Sequence, residues 1–168
     1  MGLSASKRVC RALRDSPAFN STCDSVYEDC LALAQHAFPG VRPYQLASAS
    51  DRLHHSLSTE IPLIRKWVPS PPTRSQVDTA FESVARRFGQ GGEDITLGSE
   101  EFKAFAVELF GGAVVSGAGR AILQRVPVAV AGIAGIGVAT RSGREVVGAV
   151  IGVYALGVAT SVYLSLAP

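Results

Sequence analysis

The sequence predicts an all-α protein in two parts: a small helical domain, then a C-terminal apolar helical hairpin supplying one or two transmembrane helices. Three observations predict it. Through the first two thirds, apolar residues recur every three or four positions, the pattern of amphipathic helices. Strong breakers separate these stretches: Pro39-Gly40, Pro69-Ser70-Pro71-Pro72 and Gly89-Gln90-Gly91-Gly92. Beyond residue 110, Glu145 is the only carboxylate side chain, and Arg120, Arg125, Arg141 and Arg144 are the only other formal side-chain charges. A water-facing surface needs dispersed charge, so this last third is either very buried core or lipid-facing. The 168 residues allow one ordinary domain, or a small one plus a membrane segment. The resulting division is a basic N-terminal segment (1–15), a helical hairpin (16–68), a Pro-rich linker (69–75), a helix–loop–helix (76–110) and a Gly-rich apolar membrane region (111–168).

The chain opens Met1-Gly2-Leu3-Ser4-Ala5-Ser6-Lys7-Arg8, which fits the N-myristoylation pattern with Gly2 as acceptor and Ser6 at the hydroxyl position. No apolar core of a secretory signal peptide follows, so a leader of that kind is not expected. Myristate alone holds a protein to membranes marginally, and a second signal is needed. Lys7, Arg8, Arg11 and Arg14 form a basic stripe at helical spacing that suits anionic lipid, and Cys10 is a candidate for palmitoylation. The bland alternative is an incidental glycine and an ordinary solvated helix face.

The first helix of the hairpin is expected over 17–38, capped by Ser16 with Pro17 in its first turn. Phe19, Cys23, Val26, Cys30, Leu33 and Phe38 mark its apolar face. A second helix over 44–58 turns Leu46, Leu53 and Leu57 toward the first, because a short loop makes antiparallel neighbours. The segment 61–68 is short. A third helix over 75–88 directs Val77, Phe81, Val84 and Phe88 inward, and an apolar helix follows over 102–109 with Ser99 as its cap.

Phe81 and Phe88 before the loop, an isolated Leu97 inside it and Glu101-Phe102 at its exit resemble an EF-hand over about residues 76–110. Taking Glu101 as loop position 12 puts Gln90 at 1, Gly92 at 3, Asp94 at 5 and Ile95 at 6. Asp94 and Glu101 are thus the calcium candidates. Two usual acidic ligands are missing, isoleucine replaces the glycine, and the spacing from Phe88 to Leu97 is one residue longer than standard, so the residues favour an EF-hand shape over an ion site. Together, the myristoylation-type start, the EF-hand-like element and the apolar tail are similar to small plant proteins of the calcium-binding EF-hand family. That resemblance implies helical structure and a calcium-related role.

Other chemistries have little support. Cys10, Cys23 and Cys30 form no zinc spacing, and Cys23 and Cys30 lie two turns apart on one helix, too far for a disulfide there. His54 and His55 are adjacent, so they point apart and read as surface or boundary residues. Gly132, Gly135 and Gly137 lack the order of a nucleotide loop. Basic residues are not interleaved with aromatics as nucleic-acid binding requires. No catalytic spacing or small-molecule site is visible, so no enzyme is expected.

The segment 146–167 is uncharged and, at about 1.5 Å per residue, crosses a hydrocarbon core of about 30 Å. The segment 126–140 is shorter and spans only if 121–125 join it, with Arg120 and Pro127 making an awkward start. A single tail anchor, a hairpin turning at 141–145, and one glycine-rich soluble core all remain open. Gly148, Gly152 and Gly157 form a small face for close helix packing, with Gly132 and Gly137 as an opposing surface. The expected function is a non-catalytic membrane-attached adaptor or regulatory protein on a cytosolic face. Alternatives are a calcium sensor and a structural subunit of an organellar membrane complex. Expected partners are membrane lipid and other membrane proteins met through the Gly-rich helices.

Overall fold

The computed structural model describes residues 2–89, 95–139 and 144–166. The protein is all-helical, with no strand among the described residues. The helices are α1 (Gly2–Arg14), α2 (Pro17–Leu33), α3 (Leu46–Glu60), α4 (Pro62–Trp67), α5 (Arg74–Arg87), α6 (Ser99–Ala139) and α7 (Arg144–Ser165). The chain divides into two compact units, Met1–Val115 and Ser116–Pro168.

In the first unit, α2 starts as its sequence dictates. The Ser16 hydroxyl accepts from Phe19 N at 3.3 Å and Pro17 occupies the first turn, where a missing N–H costs nothing. Its apolar stripe buries Phe19, Cys23, Val26 and Cys30, and its main neighbour is α3, which buries Leu46, Ala49, Leu53 and Leu57. α2 stops five residues before the expected end. Gln35 and His36 take left-handed φ values of 52° and 53°, which turn the chain out of the helix and leave Leu33 exposed. A 3-10 turn over Pro43–Gln45 then leads into α3.

The short segment after α3 forms α4, with Pro62 in its first turn and Ile64, Trp67 and Val68 buried. α5 opens with a reciprocal cap: Gln76 N donates to the Thr73 hydroxyl at 3.4 Å, and Thr73 N donates to Gln76 Oε1 at 2.8 Å. It closes at Gly89, whose φ of 66° suits a residue without Cβ. Phe88, expected inward, is exposed because it falls in this closing turn.

α6 differs most from expectation. It begins at Ser99 and continues through Gly111-Gly112 and Pro127 without a break. Each internal glycine costs about 1 kcal/mol of helix propensity. Burial of Phe102, Phe105, Leu109, Phe110 and Val114 in the core of the first unit outweighs that cost. The Tyr27, Phe102 and Phe105 rings form a tilted series, with centroids 5.7 and 6.1 Å apart. α1 is a true helix whose Ala5, Val9 and Leu13 are buried. Gly111 admits it: a Cβ there would lie 2.6 Å from Cys10 Sγ.

The two helix–loop–helix segments, α2–α3 and α5–α6, meet through their loops. Val41 N donates to Leu97 O and Leu97 N donates to Val41 O, both at 2.8 Å, an isolated antiparallel bridge. Both side chains are fully buried.

The second unit holds the remainder of α6 and all of α7. α6 over Ser99–Gln124 and α7 over Val146–Ser165 are each long and apolar enough to cross a membrane. The expected turn at 141–145 lies largely outside the described residues.

Candidate functional site

Three features stand out, each traceable to residue type and position. The first is α7. Val146, Val150, Val153, Tyr154, Leu156 and Leu164 are all exposed, and only 6% of its most apolar stretch is buried. By contrast, 44% of the apolar stretch of α6 is buried. The first turns of the longer span that contains it, Ser99–Gln124, carry Glu100, Glu101, Lys103 and Glu108, with Lys103 Nζ 2.8 Å from Asp24 and Glu108 3.3 Å from Arg87. Up to Val114 the apolar residues of α6 are used in the core of the first unit, whereas the large apolar residues of α7 named above are exposed. Gly148, Gly152 and Gly157 lie in open space, with nothing within 4 Å of a built Cβ. Beside Gly157, Tyr154, Val158, Ser161 and Val162 line a groove of about 240 Å³. Gly132 and Gly137 fall on α6.

The second feature is the N-terminal helix. Gly2 is the first residue of α1. Cys10 is half-buried against α6, its thiol 4.0 Å from the Val107 carbonyl. Burial raises the Cys10 thiol above its ordinary pKa and Glu108 adds to the shift, against smaller opposing effects from Ser6, Arg14 and Arg87. Cys23 is pushed up to about 12, chiefly by burial, and Cys30 is raised for the same reason. All three are free cysteines held in the thiol form, the less nucleophilic one.

The third feature is the pair of bridged loops. Gln45 and Glu101 each lie four residues beyond the bridge, at Val41 and Leu97 respectively, and so occupy equivalent positions. The buried Gln45 amide closes its own loop: Nε2 donates to Cys30 O at 2.9 Å and Oε1 accepts from Arg42 N at 3.0 Å. Residues 34–45 contain no carboxylate. Glu101 is half-buried with its carboxylate over Gly98, 2.6 Å from a built Cβ, while Asp94 lies outside the described residues. Among the described residues no three His, Cys, Asp or Glu side chains gather as a metal site. A neutral amide thus closes the first loop, which has no carboxylate of its own. We therefore expect no change in amide NMR shifts around residues 34–45 up to millimolar calcium; shifts in that loop on titration would show that it takes part in ion binding.

His54 Nε2 lies 2.8 Å from the Val68 carbonyl, while His55 is exposed. Val41 and Gln45 escaped the sequence reading. The available signal was a lone apolar residue after Pro39-Gly40 with a polar side chain four positions on, the same interval that separates Leu97 from Glu101. No protein-family model, curated protein or solved structure matches this chain.

Proposed function

We propose that this chain is a non-catalytic membrane-attached adaptor or regulatory protein, with α7 in the bilayer and the first unit as an EF-hand-like pair lacking a calcium site in its first loop. The observation that carries the membrane reading is α7 itself. Its twenty-residue apolar stretch spans about 30 Å at about 1.5 Å per residue, the thickness of a hydrocarbon core, and almost none of it is covered by protein. An exposed apolar surface of this extent seeks lipid or another protein. Support for the EF-hand-like reading comes from two helix–loop–helix segments joined at Val41 and Leu97, with Gln45 in the position equivalent to Glu101.

The test is alkaline carbonate extraction of the full chain from neutral phosphatidylcholine vesicles. The wild-type chain should remain with the vesicles. A Val153→Asp/Leu156→Asp chain should move to the supernatant, because an aspartate at the centre of a span costs about 3 kcal/mol. Both side chains are exposed on α7, so folding of the first unit should be unchanged. Extraction of the wild-type chain would refute insertion.

The open faces at Gly148, Gly152 and Gly157 favour a second reading, a structural subunit of an organellar membrane complex. Affinity purification in mild detergent separates the two. A subunit co-migrates with one large assembly, whereas an adaptor is recovered with smaller, variable partners.

A further inference from the structure

We propose that the exposed face of α1 is a headgroup-binding surface for anionic lipid, holding the first unit against the bilayer by charge and not by insertion. This rests on the membrane reading above and adds a second, chemically different contact to it.

Geometry separates the two sides of α1. Ala5, Val9 and Leu13 repeat every four residues and are buried in the first unit, while Cys10 packs against Gly111. The apolar side of this helix is therefore already occupied and is not free to sink between acyl chains. Lys7, Arg11 and Arg14 follow one another at spacings of four and three residues on the opposite side, and all three are exposed. Among the described residues none of the three forms an ion pair. α1 itself contains no carboxylate. Asp15 follows the helix, and Glu108, which acts on Cys10, is paired with Arg87. The turn into α2 is pinned, with Asn20 Nδ2 donating to Arg14 O at 2.9 Å. The cations thus project from a backbone fixed on a folded domain. A flat array of lipid phosphates and carboxylates complements such a face, each cation strengthening attachment about fivefold. Gly2 begins the same helix, so myristate there would add an acyl contact beside the charged one.

The full chain carrying Val153→Asp/Leu156→Asp, made without myristate, isolates this contact from insertion of α7. It should float with vesicles containing about 30% phosphatidylserine and not with pure phosphatidylcholine. The attachment should disappear in about 1 M KCl, where screening acts within about 3 Å. Adding Lys7→Gln, Arg11→Gln and Arg14→Gln should weaken binding to the anionic vesicles about a hundredfold. Circular dichroism should be unchanged, because all three side chains are exposed. Equal binding to neutral and anionic vesicles, no binding to either, or binding unaffected by the three glutamines would each overturn the proposal. Failure of the membrane reading itself registers separately, as carbonate extraction of the wild-type chain from neutral vesicles.

Discussion

Phe102→Ala should lower the unfolding free energy of the first unit by about 4 kcal/mol, the cost of a truncated, fully buried phenylalanine. Phe102 sits where three contributions meet. It is completely inaccessible, its ring is 5.7 Å from Tyr27 on α2, and it is 6.1 Å from Phe105 on its own helix. Deleting the ring removes buried apolar area and two tilted aromatic contacts, and opens a cavity that neither rigid helix can fill. A typical domain has about 5–15 kcal/mol in total, so much of the margin is at stake. Trp67 is the only tryptophan and lies buried at the end of α4, so its fluorescence in a urea titration reports on this unit alone. Leu33→Ala is the control: Leu33 is 63% exposed, and its loss should cost less than about 0.5 kcal/mol. Similar midpoints for the two variants would mean that α6 does not form the core.

Gly40→Ala should cost about 3 kcal/mol despite adding only a methyl group. A Cβ at this position runs into the Leu97 carbonyl oxygen and lies 2.8 Å from its carbon. The obstacle is backbone, held by the paired Val41 and Leu97 hydrogen bonds, so it cannot rotate away as a side chain would. Relief comes only by opening the bridge, which leaves two N–H donors and two carbonyl acceptors short of partners. Hydrogen exchange at the Val41 and Leu97 amides should accelerate together, since each donates to the other residue. Gly112→Ala provides the contrast: it is helical, meets nothing within 4 Å, and should stabilise α6 by up to about 1 kcal/mol. Unchanged exchange at both amides in the Gly40 variant would rule out the close approach.

These two sites also show what a single sequence exposes and what it hides. Phe19, Cys23, Val26 and Cys30 were legible because helical burial repeats every three or four residues, and the repeat appears locally. Leu46, Leu53 and Leu57 followed for the same reason. The apolar run of α7 was legible and membrane entry was its leading reading; an uncharged run also fits a buried core, so its exposure could not be read from composition alone. The Val41–Leu97 pairing was not legible, because the shared four-residue interval to Gln45 and Glu101 is a likeness between the loops and does not say that they meet. Nor was the passage of α6 through Gly111-Gly112. The glycines read as a boundary, whereas one of them is the gap that lets Cys10 and α1 approach. α1 itself read as a basic, acyl-bearing segment, and its buried Val9 and Leu13 become significant only once α6 stands beside them.

The bridge has a consequence for the order in which the chain folds. Val41 and Leu97 lie 56 positions apart, so closing their contact requires ordering a long intervening stretch. α2 and α3 can pair as soon as both are synthesised, but their loop lacks its bridging partner until Leu97, just before α6, is made. The first unit is complete in sequence once Val115 has been made, and α7 does not begin until Arg144. During N-to-C synthesis the helical domain is therefore complete in sequence before the most exposed apolar helix exists. A nascent chain stalled after α6 should already protect the Val41 and Leu97 amides, so the folding of the first unit does not wait on α7.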